Sequence, residues 1–122
     1  MAEIMLTEHN FLVSTTDKKG IIIFANEDFC KIAGYKVEDL VGKNHNIVRH
    51  PDMPKAAFAN LWQTVQSGRV WTGFVKNAHQ NGSDYYWVYA TVYPMRDGYM
   101  SCRRMATRDE IAEAEALYRT MR

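Results

Sequence analysis

The chain has 122 residues, 47% of them hydrophobic, with 15 Lys and Arg against 14 Asp and Glu and a formal net charge of +1. This is the length of one domain, able to bury about two-thirds of its unfolded surface and to fold without staples. The even charge balance excludes a general electrostatic pull toward nucleic acid or an anionic membrane, and no window approaches the ~20 apolar residues of a membrane-spanning helix.

From the N-terminus, residues 1–10 read as a cap segment with a short helical piece. Phe11 to Thr16 and Ile21 to Phe24 are β-prone runs around Asp17-Lys18-Lys19-Gly20, which predicts a hairpin. Asn26 can cap a helix carrying Phe29, Ile32 and Ala33, stopped by Gly34. Lys36 to Leu40 predicts one more helical turn, and the polar, aperiodic residues 43–52 predict a loop or distorted helix. After Asp52, with Pro54 suited to a first turn, Phe58, Leu61, Trp62 and Val65 recur at i, i+3, i+4 and i+7, the pattern of an amphipathic helix ending at Ser67-Gly68. Three strands follow, over Val70 to Lys76, Asp84 to Met95 and Tyr99 to Ala106.

In the second of these strands Tyr86, Val88, Ala90 and Val92 fall on one face, and Tyr85, Trp87, Tyr89 and Tyr93 on the other. Both faces are apolar and both need cover: a core or ligand for one, and the N-terminal segment, a helix or a dimer mate for the other. Thr107-x-x-Glu110 is a capping-box signature opening a terminal helix with Ile111, Ala114, Tyr118 and Met121 as its apolar stripe. The order is β-β-α-α-loop-α-β-β-β with a C-terminal helix, an α+β domain. Cys30 and Cys102 stand far apart without Cys/His ligand spacing, predicting neither a disulfide framework nor structural zinc. No signal peptide is evident at the N-terminus. A reducing, cytoplasmic setting is expected, with any tether to the inner membrane lying outside this chain.

This order, with Ile23-Phe24-Ala25-Asn26, Gly34-Tyr35-x-x-Glu38-Asp39-Leu40-Val41-Gly42 and Asn81-Gly82 before Tyr86-Trp87-Val88, resembles PAS domains across residues 11–107. The resemblance implies a five-stranded antiparallel sheet with helices packed on one face, and residues 108–122 as a signalling or linker helix. The segment His45-Asn46-Ile47-Val48-Arg49-His50-Pro51-Asp52-Met53-Pro54, with Leu61-Trp62 and Trp71-x-Gly73-x-Val75-Lys76-Asn77, resembles the input domain of bacterial aerotaxis receptors. That implies FAD as cofactor, with Asn26, His45, Arg49, His50, Asp52, Trp62 and Asn77 lining or supporting its pocket. It further implies redox sensing in energy taxis, without catalysis, relayed to a chemotaxis signalling module in the same chain or a partner. The chain departs from the family pattern at two loop tips, a short connection at 95–98 and one extra residue near Ser83. His45 stands where flavin photoreceptors of the LOV type carry a reactive Cys, so thiol–flavin photochemistry is not expected.

The residue types suit a flavin: an apolar slot, hydrogen-bonding groups for a ring edge and a cation for pyrophosphate. Each also has a plainer reading. Arg49 can hold phosphate or pair with Asp52. His50-Pro51-Asp52 can be a helix entry capped by Asp52. Trp62 can be core, and Asn77 a turn residue. His45 and His50 lack a third metal ligand at suitable spacing. A cofactor-free PAS module that dimerises through its sheet is the alternative; haem through a histidine or a small redox enzyme are weaker ones.

Overall fold

The computed structural model describes residues 2–121; Met1 and Arg122, the outer ends of the expected N-terminal segment and terminal helix, lie outside the described residues. Five strands, β1 (Phe11–Asp17), β2 (Ile22–Ala25), β3 (Trp71–Ala78), β4 (Tyr85–Pro94) and β5 (Gly98–Met105), form one antiparallel sheet in the order β2-β1-β5-β4-β3. Between β2 and β3 run α1 (Glu27–Ala33), α2 (Val37–Leu40), a 3₁₀ turn (His45–Val48) and α3 (Lys55–Gln66); α4 (Arg108–Met121) closes the chain. The expected α+β architecture is present.

Local chemistry explains the boundaries. Asn26 Oδ1 accepts the Phe29 amide at 3.0 Å, opening α1, and Gly34 ends it at φ 81°, a left-handed position that favours glycine. The capping box at α4 forms in both directions: Thr107 N donates to Glu110 Oε1 at 2.9 Å, and Glu110 N donates to Thr107 Oγ1 at 3.2 Å. At α3, Pro54 is the cap and Lys55 the first helical residue, with no side-chain cap. The Asp52 carboxylate accepts from Lys76 Nζ at 3.0 Å, tying the entry of this helix to β3.

Strand register separates two faces. Inward lie Tyr86, Val88, Ala90 and Val92 of β4, opposite Asn77, Val75, Gly73 and Trp71 of β3. Arg103 and Ser101 of β5 pair with Ala90 and Val92, and with Leu12 and Ser14 of β1. Phe29, Leu40 and Val48 cover this face and are buried with Leu12 and Tyr86. The outward face carries Tyr85, Trp87 and Tyr89. There α4 covers Trp87, whose ring stacks on Tyr118 at 6.2 Å and 18°, and Tyr118 donates its hydroxyl to Phe74 O at 2.6 Å.

The N-terminal segment departs from expectation: it is extended, not helical, and Glu3 bridges Tyr85 in parallel. The reason is a hydrogen-bonding need. β5 ends at Met105 opposite Val88, so the N–H and C=O of Tyr85 require another partner. They find Ala2 O at 3.0 Å and Ile4 N at 2.7 Å. Glu3 also pairs with Arg108 at the start of α4.

One segment fixes the inner face. Residues 42–53 cross from one sheet edge to the other. At β2, Ile22 N donates to Lys43 O at 2.8 Å and His45 N to Gly20 O at 2.8 Å. At β3, Arg49 bridges Asn77, and His50 N reaches Lys76 O at 3.3 Å. This strap satisfies both exposed sheet edges and roofs the space beneath it.

Candidate functional site

Beneath the strap lies a cavity of about 360 Å³ between α3 and the inner sheet face. Its walls are apolar where Val75, Ala90 and Val92 meet Phe58, Leu61 and Trp62. Short side chains leave the room: Ala90 and Ser101 occupy the middle of β4 and β5 and line the cavity, while the space over Gly73 is taken by the Trp71 ring. Glycine is needed at 73, since a Cβ there would stand 2.5 Å from the Trp71 ring. That ring is buried, and its Nε1 donates to Asn60 Oδ1 at 2.9 Å, tying β3 to α3.

Four of the seven expected site residues line this cavity: His45, Arg49, Trp62 and Asn77. Arg49 lays its guanidinium over Phe58 at 4.4 Å, and Trp62 meets Tyr99 edge-on at 5.5 Å. Asn77 is 3% exposed and faces inward from β3 opposite Tyr86. The other three stand elsewhere. Asn26 is engaged at the α1 cap: besides Phe29, its Oδ1 accepts Val13 N at 3.1 Å, and its Nδ2 donates to Phe11 O at 2.8 Å. His50 turns to the other side of the strap, edge-on to Tyr85 at 6.0 Å, and its Nδ1 accepts the Asp52 amide at 3.0 Å. Lys76, bound by Asp52, lies 4.4 Å over the Tyr85 ring.

At the inner end sits a group that sequence reasoning missed. Arg103 is 2% exposed. Its Nη2 donates to Ser14 Oγ at 2.8 Å and its Nη1 to Ser101 Oγ at 2.6 Å, with His45 Nε2 3.3 Å from Nη1. The guanidinium lies 4.3 Å over Phe29, on which the His45 ring also stacks at 5.9 Å. Ser14 Oγ accepts from Arg103 and so has its own hydrogen for His45 Nε2, 3.1 Å away. Nε2 thus accepts from two donors, which places the proton of the neutral ring on Nδ1. Burial, reinforced by the Arg103 charge, lowers the His45 pKa to about 3. Burial likewise lowers Arg103 to about 10, leaving it charged at neutral pH. The signal for Arg103 was available: strand periodicity puts Tyr99, Ser101 and Arg103 on one face, and a charge at an inward position is an anomaly that asks for a purpose.

The chemistry of the lining residues suits a flavin. An apolar slot carries buried polar groups at its edge, among them Thr16 Oγ1 and Arg103 Nε, which have no hydrogen-bond partner among the described residues. Trp62 and Phe58 offer ring faces, Asn77 an amide and Arg49 a cation. Neither cysteine lines the cavity, and among the described residues no group of three or more His, Cys, Asp or Glu gathers as a metal site. No helix among them is long and apolar enough to cross a membrane.

A five-stranded antiparallel sheet strapped over a pocket is the architecture of PAS domains, and the family model of the PAS fold matches residues 22–107. The chain belongs to this family. Within it, the chain is similar to the aerotaxis receptor of Escherichia coli (strain K12), being 48% identical over 121 residues, 95% of this chain and 24% of the receptor. It therefore spans about a quarter of that relative's length. The nitrogen fixation regulatory protein of Klebsiella oxytoca is 28% identical over 81 residues, 66% of this chain and 16% of that protein. Among solved structures, the light state of the blue-light photoreceptor Aureochrome1 LOV aligns with a TM-score of 0.75 at 18% identity, covering 93% of each chain, a likeness of fold alone.

Proposed function

We propose that this PAS domain is a non-enzymatic sensor that binds FAD in the strapped cavity and relays its redox state to a chemotaxis signalling module. The observation that carries this reading is the convergence of His45, Arg49, Trp62 and Asn77 on one cavity of about 360 Å³. The similarity to the aerotaxis receptor supports it. When bound, the flavin supplies reversible two-electron chemistry.

The chain's own residues hold and read it. Arg49 takes pyrophosphate oxygens at the mouth, Trp62 and Phe58 flank the slot, and Asn77 meets the ring edge. Asn77 sits where β3 pairs with the strap. A change of partner at its amide is felt by Arg49 and, one residue along β3, by Lys76 with its contacts to Asp52 and Tyr85. Tyr85 holds the N-terminal segment, and Glu3 of that segment pairs with Arg108 of α4. The two chain ends form the output, with His50, Asp52 and Asn26 supporting the pocket walls rather than the ligand. Residues 11–107 form the sensor and the helix from 108 onward the link to the next module, in the cytoplasm.

The visible spectrum of the purified protein, followed by chromatography of what heat releases, tests this reading. Two-banded flavin absorption with released FAD supports it. Arg49→Ala is expected to fold and to lose most of its flavin. A folded variant with full flavin content removes Arg49 from the site. A second reading, a cofactor-free interaction module, is favoured by the exposed Phe11, Ile23 and Phe24 on β1 and β2. A colourless protein that takes up no added FAD and dimerises supports that one.

A further inference from the structure

The Arg103 guanidinium is a buried cation whose hydrogen-bonding neighbours, Ser14, Ser101 and His45, are all neutral. Among the described residues no carboxylate forms an ion pair with it, and its Nε is buried without an acceptor. A charge taken out of water is costly unless something of opposite sign or strong acceptor character meets it. A residue that served only to fill the inner sheet face would be apolar, as Ala90 and Leu12 beside it in register are. The remaining direction open to Arg103 is the cavity it lines. The Tyr86 hydroxyl shares this end, near Asn77 and Arg103 with no hydrogen bond of good geometry, and Thr16 Oγ1, farther along the cavity opposite Tyr99, is likewise buried without a partner.

We propose that Arg103 is the counter-charge for the occupant of the cavity, which therefore favours a ligand bearing negative charge at its inner edge over the same ligand without it. The proposal rests on the flavin reading for the identity of the ligand. Two electrons with a single proton leave a flavin one unit more negative, so the cavity holds reduced FAD in preference to oxidised FAD and raises its midpoint potential. Arg103 sets that preference, while Arg49 at the mouth holds the part of FAD whose charge does not change.

The test compares wild type with Arg103→Met, loaded with FAD and titrated with dithionite, which supplies the electrons, against a reference dye. The ratio of affinities for reduced and oxidised FAD is expected to fall at least about tenfold in R103M, a midpoint about 30 mV more negative for a two-electron couple. An unchanged midpoint overturns the proposal. Should R103M not fold, Arg103→Gln, whose amide can still bond Ser14 and Ser101, carries the same comparison with the same two outcomes. A wild type that takes up no FAD sinks the flavin reading separately, and the empty proteins then decide. R103M melting at or above wild type supports an uncompensated charge kept for a ligand. R103M melting several degrees lower, or R103Q doing so where R103M does not fold, makes Arg103 a scaffold residue and overturns the proposal.

Discussion

The two faces of the sheet are built from the same strands by opposite rules. Outward, β4 presents Tyr85, Trp87 and Tyr89, large side chains covered by α4, by the Phe74 ring at 5.0 Å from Tyr89, and by the Arg104 guanidinium over Tyr89 at 4.4 Å. Inward, the same strand presents Ala90 between Val88 and Val92, and its neighbours add Ser101 and Gly73. One face is filled by its own residues; the other keeps space and lines it with polar groups that folding alone does not require. Both faces are packed, but only the inner one keeps a cavity, so on the proposed reading a change to the outer face should cost stability and a change to the cavity lining should cost binding.

The largest effect is expected on the outer face. Trp87→Ala removes a ring that is 3% exposed and stacked on Tyr118. It should cost about 3–5 kcal/mol in urea unfolding. Flavin per folded chain should stay at the wild-type level; loss of flavin from well-folded W87A would break the separation of faces. The inverse change is Ala90→Phe, which extends a ring into the cavity. Its stability cost is smaller, ~1–3 kcal/mol at most, because the space already exists. FAD affinity should fall about tenfold or more, equivalent to at least about 1.4 kcal/mol of binding. Undiminished FAD binding by A90F would place the ligand somewhere other than this cavity.

Much of this division is legible in the sequence. The strict alternation of β4 assigns every residue from Tyr85 to Val92 to its observed face, and Asn26 and Thr107-x-x-Glu110 announce their helices because capping is chemistry local to a few residues. The strap is different. Its residues are polar and aperiodic, since it is held by backbone bonds to two strands distant in sequence, and such bonds leave no side-chain pattern. Its extended end sends neighbouring side chains to opposite sides, so Arg49 enters the cavity while His50 meets Tyr85. A contiguous motif cannot reveal that split. The extended N-terminal segment was hidden for a related reason: its cause is the unsatisfied backbone of Tyr85, visible only once β5 is known to stop at Met105.

A last effect is the pH dependence that His45 brings to the inner face. His45 is held neutral, its pKa lowered from 6.5 to about 3 by burial and by Arg103. Between those values the unfolded chain binds a proton that the folded chain refuses, so this group's contribution to stability is full above pH 6.5 and is lost as the pH falls toward 3. His45→Gln keeps an acceptor near the position of Nε2 and removes the titration. The unfolding free energy of wild type relative to H45Q should be flat above pH 7 and should decline below 6.5 by up to about 1.4 kcal/mol per pH unit. Urea titrations of both chains at stepped pH measure it, with other ionisable groups cancelling in the difference. Parallel curves from pH 7 to 4 would mean that His45 is not held in its neutral form by Arg103 and Ser14. On the outer face Tyr118, raised by burial, titrates far above this window. W87A, which keeps His45 and its neighbours, should therefore follow the wild-type pH profile at a constant offset.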